Sequence, residues 1–88
     1  MSREGSRDLP RVELFGREGC HLCDEAREAL LALRREGAVF DLVEVDIDSD
    51  DELLKSMLER IPVIEVEGAK VCELGFDERA VRASLASL

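Results

Sequence analysis

Two cysteines separated by two residues, Cys20-His21-Leu22-Cys23, stand where a short apolar segment ends and a helical pattern begins. No other feature constrains the chain as strongly. Two intervening residues let both sulfurs approach each other across a single helical turn. They can then be joined with little backbone movement and reopened by an attacking thiolate. A helix start also helps the first cysteine to ionise, because unpaired N–H groups and the helix dipole favour negative charge there. The placement reads as redox chemistry rather than as a structural staple.

The pattern around this pair predicts an α/β domain. Residues 1–10 are polar and charged and end in Pro10, which reads as a flexible arm ahead of a domain over residues 11–88. Val12, Leu14 and Phe15 form a short strand, and Gly16 to Gly19 turn the chain out of it. From Cys20 to about Glu36, apolar residues recur at Leu22, Ala26, Ala29, Leu30 and Leu33 with helical spacing. Early acids, late arginines and Gly37 suit the two ends of that helix.

Val39 to Ile47 is apolar on both faces around Leu42 and Val43, the expectation for a parallel, central strand. Ser49 and Glu52 have capping-box spacing ahead of a helix lined by Leu53, Leu54, Met57 and Leu58. Ile61-Pro62 introduces a strand from Val63 to Val66, a tight turn near Glu67-Gly68, and a partner strand from Lys70 to Glu73. Phe76, Asp77 and Val81 are spaced as staple, cap and contact of a last helix. The order is βαβαββα, a four-stranded mixed sheet with helices packed on its faces.

Length and charge narrow the function classes. At 88 residues the chain makes one small domain, and 45% hydrophobic content suffices for one core. The formal charge of −9, from 21 acidic and 12 basic residues, leaves no basic stripe for phosphates. No nucleic-acid or membrane partner is therefore expected. No apolar run is long enough to span a bilayer, and Met1 to Asp8 lacks the apolar stretch of a secretory signal. The expected location is the cytoplasm, where disulfides are usually transient and catalytic. Three cysteines are an odd count for a disulfide framework, which again favours working thiols.

These residues together resemble a glutaredoxin or glutaredoxin-like protein of the thioredoxin superfamily. The resemblance rests on the strand Val12–Phe15, the Cys20/Cys23 pair opening a helix, Ile61-Pro62 before the hairpin, and Gly75 with Asp77 ahead of the last helix. It covers nearly the whole chain from residue 11 and implies a thioredoxin-like fold. It also implies a cis bond before Pro62, with the backbone N–H and C=O of Ile61 free to pair with an extended substrate. The chain departs from the family where His21-Leu22 lies between the cysteines, Arg60-Ile61 precedes the proline, and Leu74-Gly75 replaces paired glycines. The family uses those positions to hold glutathione.

The expected activity is dithiol thiol–disulfide exchange. Cys20 is the candidate nucleophile, with Arg17 and the helix start lowering its pKa and Asp24 and Glu25 opposing them. Cys23 would resolve the mixed disulfide on Cys20. His21 beside the nucleophile either stabilises the thiolate or is a solvated side chain. Arg17, Arg60, Ile61, Pro62, Gly75 and Asp77 are candidates for substrate contact; solvated arginines, a turn glycine and a helix cap are the plainer alternatives. Cys72 reads as a small apolar residue within a strand. A structural zinc site needs four ligands in separated knuckles, and only Cys72 is left to join Cys20, His21 and Cys23, so no metal is expected; zinc or an iron–sulfur cluster bridged between chains is the remaining alternative.

No bound organic cofactor is expected either, with glutathione or a thioredoxin-reductase-like protein as electron donor. The substrate would be a disulfide-containing protein or a glutathione mixed disulfide, acted on by a monomer. The competing class is a non-catalytic thioredoxin-fold module for redox sensing or interaction.

Overall fold

The computed structural model describes residues 9–88. Its elements are β1 (Arg11–Gly16), α1 (His21–Arg35), β2 (Asp41–Asp46), α2 (Asp51–Met57), β3 (Val63–Val66), β4 (Ala69–Glu73) and α3 (Glu78–Ala86), with a short 3-10 turn at Ile47–Ser49 before α2. The sheet order is β2-β1-β3-β4. β1 runs parallel to β2 and antiparallel to β3, and β3 and β4 form an antiparallel hairpin. This is the four-stranded mixed sheet of an α/β, thioredoxin-like fold. Most of the arm expected over residues 1–10 lies outside the described residues. Pro10 is already tied down, its carbonyl accepting from the Asp41 N–H at 2.8 Å.

One face of α1 supplies the largest part of the core. Cys23, Ala26, Leu30 and Leu33 are buried, while Leu22 is 46% exposed. The apolar stripe is therefore phased on Cys23 rather than on Leu22. Burying Leu30 and Leu33 stabilises by about 1.5–3 kcal/mol each. They meet Val12 and Leu14 of β1, Ile64 and Val66 of β3, and Val81 of α3 in one cluster. The helix ends as its glycine requires. Gly37 takes φ +112, its N–H donates to Arg34 O at 3.0 Å, and the Ala38 N–H donates to Leu33 O at 3.0 Å. α3 also starts as its spacing predicts, with the Asp77 carboxylate accepting from the Ala80 N–H at 3.1 Å.

The opposite cluster is smaller. Phe15, Ile47 and Val63 are buried, and Leu53, Leu54, Met57 and Ile61 cover them in part. No residue of α2 is fully buried, and Leu58 beyond its end is 43% exposed. α2 is capped by Asp50, which accepts from the N–H of Glu52 at 2.7 Å, and not by Ser49. Ser49 instead donates its hydroxyl proton to Asp46 O at 2.6 Å, closing the preceding turn. A second acid immediately after Ser49 outcompetes the hydroxyl, because a carboxylate makes the stronger, charge-assisted bond at a helix start.

β2 is also not where its sequence points. It is parallel as expected, but it lies at the edge of the sheet, and β1 holds the central position. Leu42 and Val45 are only half-buried, one contacting each core cluster. An edge strand can carry apolar residues on both faces when both faces are partly covered. Periodicity alone does not distinguish that case from a central strand.

Candidate active site

The site forms at one end of the sheet, where β1 stops. Gly16, the last residue of β1, pairs with Asp46 on β2. Phe15 pairs with Val63, and Val63 in turn pairs with Glu73. Continuing that register by one residue sets Pro62 opposite Gly16 and Leu74 opposite Pro62. Asp46, Gly16, Pro62 and Leu74 therefore make one row across the end of the sheet, and the start of α1 lies against it.

Cys20 occupies the cap position of α1. Its sulfur accepts from the Cys23 N–H at 3.1 Å, and its carbonyl takes the first helical bond from the Asp24 N–H, also at 3.1 Å. A sulfur in this position sits on unpaired helix N–H groups, which favour it as an anion. Cys20 is half-buried, whereas Cys23 is 1% exposed. The two are joined as a disulfide, with their Cα atoms 5.2 Å apart.

Gly16 is a site residue that sequence reasoning missed, having assigned it only to a turn. A Cβ at Gly16 would lie 2.9 Å from Cys23 Sγ and 3.1 Å from Cys23 Cβ. Only a hydrogen fits between the strand and the buried sulfur. The available signal was the strand-glycine-cysteine spacing, since a strand glycine often marks close approach of another group.

The other expected site residues separate into two groups. Ile61 and Pro62 lie at the site: the bond between them is cis, and Pro62 is fully buried in the row beside Gly16. The Ile61 N–H is not free for a substrate, because it donates to Met57 O at 3.1 Å as α2 unwinds. Among the described residues, no donor reaches the Ile61 carbonyl. The Leu74 N–H bonds to Arg60 O at 2.9 Å and to Pro62 O at 3.0 Å, pinning this segment to the end of β4.

The charged candidates find partners away from the sulfurs. Arg17 grips Asp48 with two nitrogens, at 3.1 and 3.3 Å, so its guanidinium is committed to the turn after β2. His21 is 84% exposed and meets Glu25 at 2.9 Å, one turn along the helix. Arg60 reaches Glu73 at 3.5 Å, and Lys70 meets the same carboxylate at 2.9 Å. The hydrogen bond from Lys70 holds Glu73 below the usual carboxylate pKa. Asp77 serves as the cap of α3, and Gly75 faces open space, with nothing within 4 Å of a Cβ placed there.

On the β2 side of the disulfide, a cavity of about 480 Å³ is lined by Gly16, Cys23, Asp24, Arg27, Glu44 and Asp46, among others. Arg27 bridges its walls, meeting Glu44 at 2.6 Å and Asp24 at 3.0 Å. Those bonds, the one to Glu44 foremost, raise the guanidinium pKa further. Cys72 lies elsewhere, half-buried on β4 and paired with Ile64. Burial pushes its thiol pKa up, against a hydrogen bond from the Asp77 backbone. Among the described residues no three His, Cys, Asp or Glu side chains gather as metal ligands, and no helix is long and apolar enough to cross a membrane.

The architecture recurs in solved structures. Protein Ne2328 from Nitrosomonas europaea superposes with a TM-score of 0.77 at 29% identity, covering 97% of this chain and 99% of that one. Protein XcR50 from X. campestris gives a TM-score of 0.66 at 37% identity over 88% of this chain and 97% of that one. The oxidised thioredoxin from Plasmodium falciparum shares the fold, with a TM-score of 0.60 at 19% identity over 93% and 83%. Among curated proteins, none matches the chain. Residues 11–86 match the family model described as a glutaredoxin-like domain (DUF836).

Proposed function

The chain belongs to the glutaredoxin-like domain family, and from that premise we propose that it is a dithiol thiol–disulfide oxidoreductase working through Cys20. One observation carries the reading: a half-buried cysteine on a helix start is bonded to a fully buried one a turn away. The first can reach a substrate, and the second is held where it can reach only the first.

In the dithiol form the Cys20 thiolate attacks a substrate disulfide. A bond forms between Cys20 and one substrate sulfur while the substrate's own S–S bond breaks, and the departing thiolate takes up a proton. Cys23 then gives its proton to solvent and attacks Cys20 Sγ. The Cys20–Cys23 bond closes and the second substrate thiolate leaves. Two electrons have passed to the substrate, and a donor thiol pair must return them. The helix start is the main source of thiolate stabilisation in this account, because Arg17 is engaged by Asp48. Ile61 offers its carbonyl to an extended substrate, and Pro62 forms the wall beside the sulfurs.

The test is turnover. With a model disulfide in excess, the protein should reduce many equivalents when supplied with glutathione and its reductase, or with a thioredoxin reductase. The pairing that works names the electron donor. Reduction of a single equivalent with both donors would replace the catalyst by a redox-sensing module that equilibrates once.

A further inference from the structure

We infer that Leu74 is a specificity-determining residue that selects polypeptide disulfides with an apolar side chain next to the reacting cysteine. The inference rests on the exchange chemistry proposed for Cys20 and adds the substrate class. Leu74 has φ +63, in the left-handed region that bulky side chains rarely adopt. The side chain recovers little of that cost inside the protein. It is 58% exposed and belongs to neither core cluster. A glycine would take the same backbone without penalty and keep both hydrogen bonds that the Leu74 N–H makes to Arg60 O and Pro62 O. Glu67, with φ 51, is different in kind, since it sits in a tight hairpin turn beside Gly68, where such angles are required.

The position of Leu74 brings it close to the exchanging sulfurs. It stands in the row that runs through Pro62 to Gly16, two strands from the residue that abuts Cys23. At about 4.8 Å per strand its backbone is roughly 10 Å from that of Gly16, the reach of a residue or two of extended chain. Leu22, 46% exposed between the two cysteines, is apolar surface on the helix side of the same sulfurs. By contrast the β2 side is lined by Arg27, Glu44, Asp24 and Asp46. A chain joined to Cys20 and passing the open Ile61 carbonyl thus lays a neighbouring side chain towards Leu74. A small, doubly carboxylated tripeptide gains little from that surface, whereas an apolar peptide side chain gains buried area.

Two peptides that differ only in a leucine or a serine beside their single cysteine test this. The Cys23→Ser protein is first loaded as its Cys20 mixed disulfide with one peptide; both peptides, as free thiols in equal excess, then exchange at Cys20 to equilibrium, and the adducts are quantified by intact mass. With Leu74 present the leucine peptide should be favoured about fivefold. Leu74→Gly should bring the ratio near unity while raising the thermal midpoint, and Leu74→Met should keep the preference. A ratio that Leu74→Gly leaves unchanged overturns the inference, as does a lost preference accompanied by a lowered midpoint. Turnover is not needed for this measurement. A protein that never cycles loses the proposed function alone, and one that cycles but partitions without regard to residue 74 loses only this inference.

Discussion

Cys20 is half-buried at the cap of α1, while Cys23, a turn further on, is 1% exposed and wedged against Gly16. The same functional group is thereby given two environments within one helical turn. At the cap, the sulfur is solvated on one side and faces helix N–H groups on the other, which lowers the cost of its charged form. Inside the first turn, the sulfur is excluded from water by β1, so only a bond to Cys20 is within its reach. Cys72 makes a third case: it is half-buried in a strand with its thiol pKa pushed up by burial. Position relative to the helix start and the sheet end, rather than residue type, divides the three.

The strongest way to break the comparison is to exchange the roles. Cys20→Ser should reduce turnover to background, a loss of about a thousandfold or more, because neither Cys23 nor Cys72 combines access to solvent with a helix start. Cys23→Ser should instead keep one round of attack and accumulate a Cys20–substrate adduct, visible by intact mass. Equal adduct formation by the two variants would erase the distinction.

Gly16→Ala probes how tightly the buried sulfur is held. The added methyl meets Cys23 Sγ at 2.9 Å, an overpacking that should destabilise the protein by about 1–3 kcal/mol. Denaturant unfolding measures it, and the loss should shrink in a Cys23→Ala background if that contact is the cause. An undiminished loss would put the clash elsewhere.

The smallest effect concerns the free thiol. With its pKa raised in the folded state, Cys72 contributes stability that is present below the ordinary thiol pKa and is lost as pH rises through the raised value. Alkylation of the reduced protein at neutral pH should therefore label Cys20 before Cys72, and Cys72→Ala should flatten the alkaline fall in stability. Faster labelling of Cys72 would contradict its burial.

Sequence reasoning found elements more readily than neighbours. The Gly37 stop, the Asp77 cap and the Glu67-Gly68 turn are all local, and each was legible because its determinants lie within a few residues. Where two local solutions competed, as at Ser49 and Asp50, the stronger acceptor prevailed. The Ile61 N–H was misjudged because its partner, Met57 O, depends on how α2 unwinds.

By itself the chain determined the order of its strands and helices, the pairing potential of Cys20 with Cys23, and the helix start at which the first of them lies. Those properties follow from spacing, side-chain chemistry and short-range backbone bonding. Only the tertiary structure decided that β2 lies at the edge, that Arg17 turns to Asp48, that Gly16 makes room for a buried sulfur, and that Leu74 joins the row beside Pro62. Each of these depends on which strand lies next to which, a choice made by the summed packing of two core clusters rather than by any single segment.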